Sequence, residues 1–175
     1  MAESAFIVRV PEAEACVGSL RRRFDRSVEL GVPAHITVLA PFMAPESIRA
    51  KVIQRVETAL AQIAPFRFTL NTVARFPATT YLAPEPTLPF VAMTNALFAE
   101  FPGYPPFRGE HASIVPHLTV AHGNATEAAM AANELAIALQ AHGPIVGTCA
   151  AVVLLENSSG SWKEMHAFVL HSKDG

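Results

Sequence analysis

One short pattern occurs twice and constrains this chain more than any other feature. Pro33-Ala34-His35-Ile36-Thr37-Val38 returns as Pro116-His117-Leu118-Thr119-Val120, 82 positions later in a chain of 175 residues. Each copy reads His, branched aliphatic, Thr, Val after a proline. Seven His and eleven Thr would produce fewer than one His-x-Thr by chance in this length. The matching aliphatics, and a helical pattern after both copies, set the repeat further apart from coincidence. A motif recurring at half the chain length predicts two lobes related by a pseudo-two-fold axis.

Strand geometry then sorts the side chains. Successive residues of a strand point to opposite faces. His35 and Thr37 therefore share one face, with Ile36 and Val38 on the other, and His117 and Thr119 oppose Leu118 and Val120 in the same way. The aliphatic face suits a core under helices. If the two strands lie side by side across the pseudo-dyad, two imidazoles and two hydroxyls meet in one cleft. Such a set suits phosphodiester chemistry, which needs one group to take a proton from the attacking oxygen and another to give one to the leaving oxygen. Histidine, with an unperturbed pKa near 6.5, can do either. Threonine hydroxyls can donate to the non-bridging oxygens. No metal and no cofactor is required.

The rest of the chain intermixes strands and helices. Phe6–Val10 reads as a strand stopped by Pro11. Glu12 to about Arg26 reads as a helix with Ala13, Cys16, Val17, Leu20 and Phe24 inward. Its terminal Arg21, Arg22, Arg23 and Arg26 read as a solvated helix end that suits the dipole. His35–Ala40 is a strand closed by Pro41, and Pro45 to about Ile63 a helix with Ile48, Val52, Ile53, Val56 and Leu60 buried. Phe66–Leu70, Val73–Phe76 and Thr79–Ala83 read as strand segments, and Leu88–Phe101 as a third helix. Pro102–Pro116, with four prolines and two glycines, is a long loop of the kind that is often functional. A strand over 116–122 and an Ala-rich helix from Thr126 to about His142 follow. Two closing strands, Ile145–Glu156 and Trp162–His171, are joined by the turn Asn157-Ser158-Ser159-Gly160. The class is α+β with antiparallel sheets, and no linker divides residues 1–175.

Composition excludes several alternatives. Apolar residues are 51% and charged residues 16%, so the chain is not disordered. The net charge of −2, with ten Arg and three Lys, provides no basic field for long duplex nucleic acid. A local site for one phosphate remains open. No apolar run reaches the roughly 18 residues of a membrane span, and the N-terminus lacks signal-peptide character. Cys16 and Cys149 form no C-x-x-C pair and read as core fillers of a reduced, cytoplasmic protein.

The paired His-x-Thr motifs, the opening strand Phe6–Val10, the Phe76-Pro77 element and the closing strand together resemble the 2H phosphoesterase superfamily, which includes 2′-5′ RNA ligase-like proteins and 2′,3′-cyclic phosphodiesterases. That resemblance implies two similar α+β lobes around a central cleft. It implies His35 and His117 as the acid/base pair and Thr37 and Thr119 as phosphate binders. It also implies a small cyclic nucleotide or an RNA terminus as partner, with hydrolysis and end-joining both open. Arg75 and Tyr81 are candidate substrate contacts, with Arg9, Arg108 and Lys163 as further basic candidates. The Pro102–Val115 segment is expected to cover the site. His111 is placed near the cleft mouth, while His122, an odd number of residues from His117, is expected to face away. His142, His166 and His171 are read as structural or surface residues. Two rivals remain: a metal-dependent hydrolase using His117 and His122, and a non-catalytic nucleotide- or RNA-binding module using the same cleft.

Overall fold

A computed structural model describes residues 1–173. The elements run β1 (Ser4–Arg9), α1 (Glu14–Phe24), β2 (His35–Leu39), α2 (Ala50–Leu60), β3 (Phe66–Phe76) and β4 (Thr79–Glu85). Then follow α3 (Leu88–Glu100), β5 (Leu118–His122), α4 (Ala125–His142), β6 (Ile145–Cys149), β7 (Ala151–Glu156) and β8 (Lys163–Val169). All eight strands join one antiparallel sheet in the order β6-β3-β4-β5-β2-β1-β7-β8. That order is symmetrical about the β5–β2 seam, with four strands on each side.

The connections repeat the symmetry. β1-α1-β2-α2 in one half matches β4-α3-β5-α4 in the other, and each motif lies on or at the start of the second strand of its unit. The helices cross the seam in matching fashion: α1 packs on β5 and α4, and α3 packs on β2 and α2. The expected two-lobed α+β arrangement is thus built as two halves of a single sheet. Its main core lies between sheet and helices, with Phe6, Ile36, Leu82, Phe90, Leu97, Leu118 and Leu135 among the fully buried side chains.

Three expectations need correction. Ile145–Glu156 is two strands, not one, and they lie in different halves: β6 pairs with β3, and β7 with β1 and β8. Burial alternates through Ile145–Cys149 but is continuous over Val152–Leu155. The change marks a strand with one solvated face becoming one covered on both faces. In a flat sheet six strand spacings, roughly 29 Å, would separate β6 from β7, yet only Ala150 joins them. The sheet must therefore curl. Second, Phe66–Leu70 and Val73–Phe76 are one strand, continuous across a register shift between Leu70 and Thr72. Third, the first two helices are shorter than expected, because Pro11–Ala13 and Pro45–Ser47 form separate 3-10 turns ahead of them.

Close approach explains one glycine. A Cβ on Gly147 would lie 2.5 Å from Cζ of Phe68 on the neighbouring strand, so the ring occupies the space a side chain would need. Cys16 and Cys149 are buried and free, and burial pushes the Cys149 thiol up to about 12.

Candidate active site

The site begins at the seam. β2 and β5 pair antiparallel with Ile36 opposite Leu118, and both side chains are fully buried on the helix side. An antiparallel ladder then sets His35 opposite Thr119 and Thr37 opposite His117. The four polar side chains form a square with the histidines on one diagonal, roughly 7–8 Å apart and somewhat less at Cβ by ladder geometry. All four are half-buried and line one cleft of about 820 Å³.

The two imidazoles are held in the same way. His35 Nδ1 lies 2.8 Å from the Pro33 carbonyl, and His117 Nδ1 lies 2.6 Å from the Val115 carbonyl. Each bond reaches two residues back along the chain. A carbonyl can only accept, so the proton of a neutral ring sits on Nδ1 in both cases. Nε2 is left as an acceptor in the neutral ring and a donor in the charged one. Burial pushes both imidazoles below the ordinary histidine value, and the carbonyl bonds partly offset this. The Arg21 guanidinium and His117 itself lower His35 further, while the Asp25 carboxylate opposes them.

Residues 9–161 match the model of the 2'-5' RNA ligase superfamily. The chain belongs to that superfamily, whose members are 2H phosphoesterases. Membership supports an enzyme with a phosphoesterase-type activity. Solved structures of similar fold include TT0787 of Thermus thermophilus, at 17% identity and a TM-score of 0.64, with 98% of this chain and 99% of that one covered. Another is E. coli LigT complexed with 3'-AMP, at 12% identity and 0.64, covering 97% and 98%. A third is described as a phosphoesterase, at 14% identity and 0.60, covering 98% and 100%. Comparison with curated proteins finds no match.

Within this 2H fold the two halves back their histidines differently. Behind His35 lies a buried ionic cluster. Arg21, 2% exposed, donates to Asp25 from Nε and Nη2 at 3.2 and 3.1 Å, and to the Val32 carbonyl at 3.1 Å. Glu14 accepts from the Ala34 amide at 2.9 Å. These bonds pin the segment between α1 and β2. Arg21 is therefore not part of a solvated helix end, unlike Arg22, Arg23 and Arg26, which are exposed. Its position one turn after Val17, on the buried stripe of α1, is the signal that was available. His117 instead sits among aromatic rings: Phe76 edge-on at 5.4 Å, Tyr81 at 5.3 Å and Phe107 stacked at 6.2 Å.

The remaining candidates divide. Tyr81 is buried, stacks on Phe76 at 4.6 Å and wedges against His117 without lining the cleft. Arg75 pairs in register with Thr80, whose hydroxyl donates to Ala128 of α4, so Arg75 lies on the helix side; it donates to the Ala125 carbonyl at 3.1 Å. It does not line the cleft. Arg9 stands beside His35 in register but is held by Glu164 at 2.6 Å, and Lys163 is exposed at the start of β8.

His122 is the clearest departure from expectation. β5 shifts register between Thr119 and Ala121, leaving Val120 without a partner. This bulge reverses the alternation, so His122 returns to the cleft face and lines the cleft with Thr79, 2.8 Å from its Nδ1. Even so, among the described residues no three His, Cys, Asp or Glu side chains are grouped to hold one metal ion.

The Pro102–Pro116 loop does reach the cleft, through Phe107, His111, Ser113 and Val115. Phe107 and Arg108 take left-handed backbone angles, φ 49° and 56°, which cost roughly 1–2 kcal/mol each in a non-glycine residue. Two contacts hold that conformation: the Phe107 amide donates to Ala40 at the end of β2 at 2.7 Å, and Arg108 donates to Glu3 at 2.7 Å. No helix among the described residues is long and apolar enough to cross a membrane.

Proposed function

We propose that this protein is a metal-independent 2H phosphoesterase that opens a 2′,3′-cyclic phosphate, or a related cyclic or 2′-5′ phosphodiester, by two-histidine acid/base catalysis, with residues 1–175 working as one unit. Phosphorus sits over the square. Nε2 of one neutral imidazole takes the proton of the attacking water. The other imidazolium donates its Nε2 proton to the ester oxygen that leaves. Thr37 and Thr119 donate to the non-bridging oxygens as charge grows on them. With a 5′-hydroxyl in place of water as the attacking oxygen, the same groups would open the cyclic phosphate onto it and join two RNA ends.

The observation that carries this reading is the matched pair of Nδ1–carbonyl bonds on histidines set diagonally across one strand pair. Both rings are oriented alike, with the second nitrogen available to a shared guest. Buried structural histidines would have no reason to share that geometry across two halves of a fold. Similar solved structures point to guests of nucleotide size: LigT has been solved with 3'-AMP, with ATP and with NADP+. Among the described residues, Asp25 is the one Asp, Glu, Lys or Arg lining the larger cleft, which favours a single phosphodiester over a polyphosphate.

The test is a panel of 2′,3′-cyclic nucleotides, 2′-5′-linked dinucleoside monophosphates and RNA bearing 2′,3′-cyclic ends, assayed with EDTA present. Turnover that survives chelation and disappears in His35→Ala and His117→Ala supports the proposal. Activity restored only by added metal overturns it. Tight binding without turnover would assign the cleft to a non-catalytic binding module instead.

A further inference from the structure

A second compartment adjoins the square. It measures about 380 Å³ and shares His35, Thr37, Ser27 and Phe107 with the larger cleft, but touches neither His117 nor Thr119. Its size falls within the range of small-molecule pockets, roughly 300–1,000 Å³. Its lining is mostly apolar, with Ile7 from β1, Val32 from the segment before β2, Leu155 from β7 and Trp162, the only tryptophan of the chain. These residues, with Val153, form an apolar cluster separate from the main core. Ile7, Val32 and Leu155 are themselves buried, and half-buried Trp162 is the apolar side chain of the cluster that is still open to a planar guest. Glu3, Glu110 and Arg108 also line the compartment, and Arg108 is already engaged by Glu3 at 2.7 Å. Two carboxylates against one guanidinium disfavour a second phosphate there, while leaving acceptors and a donor for the edge of an uncharged ring.

A phosphodiester carries two substituents that diverge from phosphorus. With phosphorus over the square, one enters the larger cleft, and the smaller compartment is the lined space beside His35 that can take the other. We infer that this compartment is a nucleobase subsite with Trp162 as its aromatic wall. The favoured substrate is then a phosphodiester joining two nucleosides, including the 2′-5′-linked kind, in preference to a mononucleoside cyclic phosphate. This rests on the phosphoesterase reading above.

Because the chain has a single tryptophan, its fluorescence reports on this compartment alone. A 2′-5′-linked adenylyl dinucleoside monophosphate, titrated into the His117→Ala protein to prevent turnover, should quench the emission saturably. In the otherwise wild-type protein, Trp162→Ala should lower the ratio of kcat/KM for the dinucleotide over that for a 2′,3′-cyclic mononucleotide by about 10-fold, the scale of one lost base–aromatic stack. Trp162→Phe, which keeps the packing on Ile7 and Leu155, should retain most of that ratio and guards against a folding defect. Quenching without any turnover in the wild type would uphold the subsite and overturn the catalytic proposal. Turnover of the dinucleotide with unchanged emission at saturation, or an unchanged ratio in Trp162→Ala, would overturn the subsite and leave catalysis standing. No binding of any nucleotide would remove both.

Discussion

Removing either imidazole gives the sharpest test of the site, because each histidine is assigned half of one proton-transfer cycle. General acid–base catalysis contributes about 10²–10⁴-fold per group, or about 3–5 kcal/mol of barrier. His35→Ala and His117→Ala should each lower kcat by that factor. The double variant should fall little below the worse single one, since groups acting in the same step are not additive. The pH profile adds a sign. Activity needs one proton shared between the two rings, so kcat/KM should trace a bell whose flanks belong to the pair. Burial lowers both imidazoles, so the bell should be centred below about pH 6.5, the ordinary histidine value. Each single variant should flatten one flank, and the flank lost identifies acid or base. The assay is initial-rate hydrolysis of the best substrate from about pH 4.5 to 9, a range that brackets the ordinary histidine value, in constant-ionic-strength buffer with EDTA. Either variant within about threefold of wild type, far short of the acid–base scale, or strictly multiplicative losses in the double variant, would refute a shared acid/base pair.

Four further outcomes follow from the same geometry. Thr37→Val and Thr119→Val should each reduce kcat by about 10–100-fold, the scale of a lost hydrogen bond to a charged group, with little change in melting temperature; a loss of stability without loss of rate would make them ordinary strand residues. Asp25→Ala leaves the buried Arg21 guanidinium with only the half-exposed Glu14 carboxylate, 3.8 Å away, and should cost about 3 kcal/mol of stability, the low end for breaking a buried pair, seen as a lower urea midpoint at unchanged slope; a cost under about 1 kcal/mol, the scale of an exposed pair, would mean the cluster is wetter than the geometry indicates. Gly147→Ala forces a methyl into the Phe68 ring and should destabilise by about 1–3 kcal/mol, and Phe68→Leu in the same chain should recover part of that loss. For His35 and His117, folding holds the neutral form, so the unfolded chain binds more protons. The stability due to them is complete above about pH 6.5 and lost as pH falls toward the folded-state values; in His35→Gln the acid-side decline of the urea midpoint should be shallower, and an identical decline would deny His35 that part.

What the sequence disclosed, and where it failed, both follow from period two. His35, Thr37, His117 and Thr119 were legible because each motif is short and regular, so parity alone assigned their faces. The same parity, applied to Phe76-Pro77 at the cleft, would have put Arg75 on the helix side. His122 was lost for the opposite reason. Unpaired Val120 slips the phase by one, and no glycine or proline announces it, since a bulge depends on the partner strand β4 as much as on β5. The β6–β7 crossover at Ala150 hides in the same way: Ala150 is unremarkable as a residue, and only the change from alternating to continuous burial betrays it. Pairing between strands carries information that one chain's local sequence does not.

The differences between the two halves matter as much as their likeness. A perfect two-fold would give the histidines identical surroundings, and acid and base could exchange freely. Here His35 faces a second compartment and is backed by Arg21 and Asp25, whose charges act on it in opposite senses. His117 is backed by Phe76, Tyr81 and Phe107, which bring no charge. The strand pair fixes the chemistry and is symmetrical. The backing and the compartments are not, and a diester with two different ends would meet them in one orientation. If Trp162 does hold a base, His35 stands on the side of that base's ester oxygen, and the two histidines have fixed and unequal roles. Direction of attack would then be set by the walls of the cleft, while the square of His and Thr remains indifferent to it.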